Sequence, residues 1–474
     1  MIDRNKFPSI KRVMDTSQGL KREMKTRDAI MVAVGGTLGT GIFLSSGDVL
    51  AKAGSGGAIV AYLLGGFIIW LMTACLGELA SAMPVAGSMQ AYCTEFINPA
   101  MGITIGWVNW IGGAITITTQ IVASAIIMKN IFPNVSTYVW ILAFSALLFA
   151  VNFFRVSAFG DISFYFSSIK IVALGVFVII GLGMIFFGLG HGGQAIGFKN
   201  YTAHGGFFPL GIGAVGSVIL SSFYAFGGTE MVAVSGGELK KEEDMPKVIN
   251  WTLILLVGAY IVLVLILSAL LPWNQADLQG SPFAYVFRNV GMPSAELIVN
   301  IIVLTSALTS GNYFVYACTR YLWSLAKFDQ APKVLSKVNK KGIPVLALCV
   351  SMAFALIGIV SEFVAEDTVY RFLIYFIGGV NIFVYTLICI CQWNFRKRFR
   401  KEGGKDEDLN YKVPYPITPI LGILAFLAML VVSLMDPEER VSFLVCVPLY
   451  VVIYIGSYIY TKKHKDARSL NIDL

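Results

Sequence analysis

Apolar positions in this 474-residue chain run in long blocks rather than alternating with polar ones. A helical block of about 20 apolar residues crosses the ~30 Å hydrocarbon core of a bilayer. Twelve such blocks are legible, at about 28–50, 57–82, 100–128, 136–154, 162–188, 208–235, 250–271, 294–322, 343–362, 369–394, 415–435 and 441–460. The connections between them are short. The longest polar one, about 395–414, holds Arg396–Lys401 and Gly403–Asp408 and reads as a loop; 189–207 reads as a glycine-rich loop on the opposite side. The pattern predicts an all-α integral membrane protein: a tail at 1–27, one transmembrane domain at 28–460 and a second tail at 461–474.

Composition agrees with this. Apolar residues make up 56% and charged residues 14% of the chain, with mean hydropathy +0.73; a soluble domain carries about 25% charged residues. The first 30 residues are polar and basic, and no small-residue cleavage site follows the stretch near 31–50, which predicts a retained first helix rather than a cleaved signal. The seven cysteines fall mostly inside apolar blocks and form no CxxC metal pair, so they read as small apolar residues.

Net charge is +8, and its placement identifies orientation rather than nucleic-acid binding. An even number of spans puts both termini on one side. That side holds 29 of the 36 Lys and Arg residues, the far side holds Lys52, Lys129, Lys199, Arg288, Arg371 and Arg440, and Lys170 lies within the membrane. The positive-inside rule predicts that both termini are cytoplasmic, in a multi-pass protein of the cell membrane surrounded by lipid.

Two blocks differ from the others. The first contains Gly35-Gly36-Thr37-Leu38-Gly39-Thr40-Gly41, and the sixth contains Gly211, Gly213, Gly216 and then Phe226-Gly227-Gly228-Thr229-Glu230. Glycine weakens a helix by about 1 kcal/mol relative to alanine, and a broken helix at membrane depth persists only where its backbone lines an enclosed cavity. Blocks five apart that both invite a break fit two inverted five-helix repeats with a substrate site between the breaks. The alternative is that the glycines serve close helix packing.

Ionisable residues inside the membrane are costly and mark function by default. Lys170 lies in the fifth block. It can exchange a proton, stand in for a fixed cation, or extend to the interface. Glu230 ends the sixth-block glycine run, where it can bind a substrate ammonium, carry a proton, or cap loose amides. Glu238 and Glu78 lie nearer the cytoplasmic end, and Glu78 reads as a structural pair or cap. The aromatics Phe223, Tyr224 and Phe226, and Trp107 with Trp110, read first as packing.

Taken in order, several segments carry a resemblance: Leu20–Lys25, Gly35–Phe43, Gly77-Glu78-Leu79 with Pro84–Ser88, Ile169-Lys170-Ile171, Phe226–Glu230, and Gly237-Glu238. Over nearly its whole length the chain resembles bacterial amino-acid permeases of the amino acid–polyamine–organocation superfamily, in the amino-acid-transporter branch. The resemblance implies a leucine-transporter-type fold: two inverted five-helix repeats, two C-terminal helices, and broken helices 1 and 6. It implies amino-acid uptake by alternating access, usually proton-driven. The substrate carboxylate would meet amides around Thr37, Gly39, Thr40 and Gly41, where helix dipole and free N–H groups favour an anion. The substrate ammonium would meet carbonyls around Phe226, Gly227, Gly228 and Thr229. Lys170 would stand in for a sodium ion and couple protons, and Glu230 and Glu238 would serve in binding or proton coupling, Glu230 as part of the substrate site. The chain departs from the family at Gly311–Arg320, where small residues commonly follow the asparagine, and at Glu296, where a small residue is expected.

The leading expectation is a secondary transporter importing an L-amino acid by proton symport, with no cofactor and no metal. An exchanger of the same fold would need internal counter-substrate, whereas a symporter would not. A non-transporting amino-acid sensor would lack a signalling domain here. A membrane enzyme would need a reactive constellation, but the three histidines are His191, His204 and His464, and no HExxH motif, Asp-rich metal motif or serine elbow is present.

Overall fold

Where the first apolar block ends, Gly54 takes φ +70° and turns the chain back into the second. The computed structural model describes residues 6–15, 24–85, 88–154, 159–190, 192–234, 239–276, 281–289, 293–340, 342–364 and 366–463. Glu238 and His191 lie outside them. Among the described residues nine helical stretches are long and apolar enough to span a membrane, with two shorter apolar helices beside them. Dividing the longest, Gly41–Ala82, at Gly54 yields twelve spans.

These are α1 (26–53), α2 (55–82), α3 (Pro99–Ile131), α4 (Thr137–Phe154), α5 (Phe159–Phe187), α6 (212–234), α7 (Met245–Leu270), α8 (Pro293–Lys327), α9 (345–362), α10 (Glu366–Lys401), α11 (Ile417–Met435) and α12 (Pro437–Lys463). α1 is interrupted. Its first half, α1a, is Thr26–Thr37, and its second half, α1b, opens with the wide turn Gly41–Ser45. α6 starts as a tight 3₁₀ segment, Ile212–Val218, continues through Ile219–Tyr224, and breaks over 225–230.

The contacts follow two like halves. α1a packs on α5 as α6 packs on α10, and α3 packs on α4 as α8 packs on α9. The halves meet where α2 crosses α7 and, most extensively, where α3 crosses α8. Small residues permit the latter approach: a methyl on Gly113 would strike Cys318, and one on Gly106 would strike Leu325. Outside the bundle Phe67, Val172, Ile179 and Val452 are exposed, as a lipid-facing wall requires.

Two features at the terminal side differ from expectation. The block at about 369–394 is longer, because α10 runs on to Lys401 and shortens the expected loop at 395–414. The cause is Arg396. It is fully buried and grips Glu78 of α2 with Nε to Oε1 at 2.5 Å and Nη2 to Oε2 at 2.9 Å. Gln392 and the Val413 amide complete the carboxylate's bonds at 2.8 and 2.9 Å, so Glu78 is a structural pair. The short helix Pro8–Asp15 also docks against this face. Ile10 and Val13 are buried, Phe7 packs at a tilt against Phe399, and Arg12 pairs with Glu95, which raises the guanidinium above its ordinary pKa.

Candidate functional site

The break after Thr37 strips the last carbonyls of α1a of helical partners, and side chains from two other spans supply replacements. Lys170 of α5 places its Nζ 2.9 Å from both Gly35 O and Leu38 O. From α8, Ser310 donates to Gly36 O at 2.9 Å and Ser306 to Leu38 O at 2.7 Å. Lys170 is 3% exposed and turns inward to the break rather than outward to the interface. Beyond the break, the Thr40 amide points to Oε1 of Gln120 at 3.3 Å. The first-turn amides of α1b, beginning at Gly41, have no intrahelical acceptor.

The second break is built differently. Gly228 has φ +99°, a left-handed conformation that disfavours any side chain. Its amide donates to Glu230 Oε2 at 3.0 Å, and Tyr385 of α10 donates its hydroxyl to the same oxygen. Glu230 therefore folds back as a cap on its own break while lining the cavity.

The two breaks touch. A Cβ on Gly41 would overlap the Ala225 backbone, and one on Gly228 would meet Thr37 Oγ1 at 3.3 Å. The hydroxyls of Thr40 and Tyr224 lie 3.2 Å apart, and Gln120 Nε2 donates to Tyr224 at 3.4 Å. Between the breaks lies a cavity of about 40 Å³ walled by α1, α3, α6, α8 and α10. A water needs roughly 10–15 Å³ on this measure, so the cavity holds only a few waters and must widen for a larger guest.

The structure brings Thr37, Gly39, Gly41, Gly227, Gly228 and Glu230 together on this wall. Thr40 stands one layer back, bonded to Tyr224. Phe226 is buried against Tyr260 and Tyr62, and Thr229 turns its hydroxyl to Phe226 O at 3.0 Å. Lys170 sits on the far side of the α1 break and reaches the cavity only through it. Trp107 and Trp110 donate to Gln330 O and Ser351 Oγ, as packing residues.

Sequence reading missed Gln120, Asn109, Tyr321, Asn381 and Tyr385. The first four line the cavity, and Tyr385 holds Glu230. Gln120 and Asn381 carried a usable signal, each being an amide inside an apolar run. Asp48 of α1b was missed as well. It is buried, accepts from Arg371 of α10 at 2.9 Å and from Ser221 of α6 at 3.3 Å, and so ties three spans together on the side away from the termini.

Among the described residues, twelve spans, two of them broken around a small polar cavity, define a multi-pass membrane carrier. The chain belongs to the amino acid permease family, whose model matches residues 28–469. It is 41% identical to the "Putative histidine permease" of Bacillus subtilis (strain 168), over 93% of this chain and 94% of that protein. It is 37% identical to the amino-acid permease RocE of the same organism, over 96% and 98%. With the lysine-specific permease LysP of Escherichia coli (strain K12) it shares 31% identity over 92% and 93%. Its work is amino-acid transport, not enzymatic catalysis.

Proposed function

We propose that this protein imports an L-amino acid across the cell membrane by proton symport and alternating access, with both termini in the cytoplasm. The observation that carries the reading is the Lys170 ammonium held in the α1 break by Gly35 O and Leu38 O. A protonated Lys170 pins α1a to α5, and loss of the proton loosens that pin. The proton thereby acquires unequal affinity for the two facing states, which coupling requires.

The substrate carboxylate meets the first-turn amides of α1b around Gly41, with Thr37, Gly39 and Thr40 around it. The substrate ammonium meets the carbonyls of 226–229 and the Glu230 carboxylate. Its side chain lies toward Asn109, Tyr321 and Asn381. Glu230, and Glu238 beyond the described residues, join Lys170 in proton coupling. The polar wall suits a polar or cationic side chain, and relatives named for histidine and lysine support testing those first.

Proteoliposome uptake of labelled L-histidine, L-lysine, L-arginine and the other common L-amino acids, with and without an inward proton gradient, tests this. Accumulation abolished by a protonophore is expected. Uptake that needs internal amino acid and ignores the gradient would replace symport with exchange. Binding without uptake would leave a sensor.

A further inference from the structure

We propose that a second cavity, on the side away from the chain termini, is an entry site that holds the zwitterionic substrate before it reaches the central one. Its ligand class rests on the amino-acid reading above; its existence rests on the geometry that follows. The cavity has a volume of about 180 Å³, against about 40 Å³ for the central one. It lies among the far ends of α3 and α7, the helix Pro282–Asn289 and the start of α8, and its polar wall includes Gln275, Ser281, Tyr285, Arg288, Glu296 and Asn300.

Three observations point to a ligand. First, Ser281 is 2% exposed and its hydroxyl has no hydrogen-bond partner. A buried polar atom in that state is uncommon and costly unless something fills the space before it. Asn300, 6% exposed, stands in the same wall.

Second, the cavity carries one charge of each sign. Arg288 donates to Glu296 through Nε at 2.8 Å and through Nη2, and both bonds fall on Oε1. The Arg288 side chain is 57% exposed, and a pair so placed adds little stability by itself. It does offer a guanidinium fork for a carboxylate and a carboxylate for an ammonium, the two ends of a free amino acid. A simple anion or a simple cation would use only half of it. Glu296 is also the position where the family expectation was a small residue, and this pairing accounts for its presence.

Third, the cavity is in line with the central site. Glu296 precedes Ser310, and Asn300 precedes Phe314, by nearly four helical turns, so all four share one face of α8. Asn300 lies about 9 Å along the axis from Ser306, which braces the α1 break. Val303 and Ala307, both fully buried, close the interval between the cavities. The helix bearing Arg288 also bears Phe283, whose ring meets Phe43 of α1b at 5.6 Å and Phe177 of α5 at 4.7 Å. A ligand that draws Arg288 from Glu296 therefore pulls on a helix packed against α1b.

The test is binding stoichiometry on the full chain in lipid nanodiscs, using labelled L-histidine, L-lysine and L-arginine at saturation. Two molecules per wild-type chain are expected for the transported amino acid. Glu296→Gln, Arg288→Gln and Ser281→Val should each reduce this to one, with an uptake KM raised at least tenfold. Thermal melting would identify any variant that has unfolded, and three variants of different chemistry guard against that loss. One molecule per wild-type chain, unchanged by all folded variants, overturns the second site and leaves the transport reading standing. No binding of any of the three to wild type, together with no uptake of any amino acid, overturns the substrate class and the proposal with it.

Discussion

Lys170 and Leu38 lie in different spans, and the ammonium of the first sits 2.9 Å from the carbonyl of the second, inside the α1 break. Gly35 O receives the same ammonium at 2.9 Å. Removing the side chain takes the ammonium from Gly35 O and leaves Leu38 O with Ser306 as its side-chain donor. Lys170→Ala should lower proton-driven accumulation at least tenfold, equivalent to about 1.4 kcal/mol. It should also flatten the dependence of uptake on external pH. Retained pH-dependent accumulation in proteoliposomes would remove the lysine from coupling.

Tyr385 and the Gly228 amide share Oε2 of Glu230. Tyr385→Phe removes one donor and costs about 1–3 kcal/mol, because the carboxylate stays buried. We expect slower uptake with little change in protein yield, and Glu230→Gln should be slower still and insensitive to the proton gradient. Normal uptake by Glu230→Gln at every pH would make the carboxylate a cap alone.

The Glu78–Arg396 fork is a stability element. Breaking a buried pair from one side costs about 3–5 kcal/mol, since the remaining charge has no water to return to. Arg396→Met should lower the melting temperature sharply in nanodiscs. The double variant Glu78→Leu with Arg396→Met should recover much of the loss. Equal melting of single and double variants would refute the pairing argument.

Gly228 tests backbone chemistry apart from charge. Its φ of +99° disfavours any L side chain. Gly228→Ala should reduce substrate binding and destabilise by about 1–2 kcal/mol. Gly213, with open space around its Cβ position and φ in the ordinary range, is the control, and Gly213→Ala should bind normally.

The spans were legible because hydropathy over twenty residues is a local property, and the breaks because clustered glycine is one too. Lys170 and Glu230 stood out as charges in apolar runs. What stayed hidden depends on rotation and on partners far along the chain. Arg396 looked like loop until Glu78, more than three hundred residues earlier, supplied a buried carboxylate. Tyr385 passed unnoticed because a tyrosine in an apolar helix carries no mark of what its hydroxyl meets. Asn312, in the segment where the chain departs from the family, accepts from Asn152 of α4 at 2.7 Å, and a single sequence does not display such helix rotations.

The approach of Gly41 to Ala225 has a mechanical meaning. Where the two broken spans cross, backbone meets backbone with no side chain interposed. Interlocked side chains would have to change rotamer together before one span could move past the other. A bare crossing has no such teeth. In the proposed alternating-access cycle it serves as a plain bearing, about which the outer half of α1 and the broken end of α6 tilt.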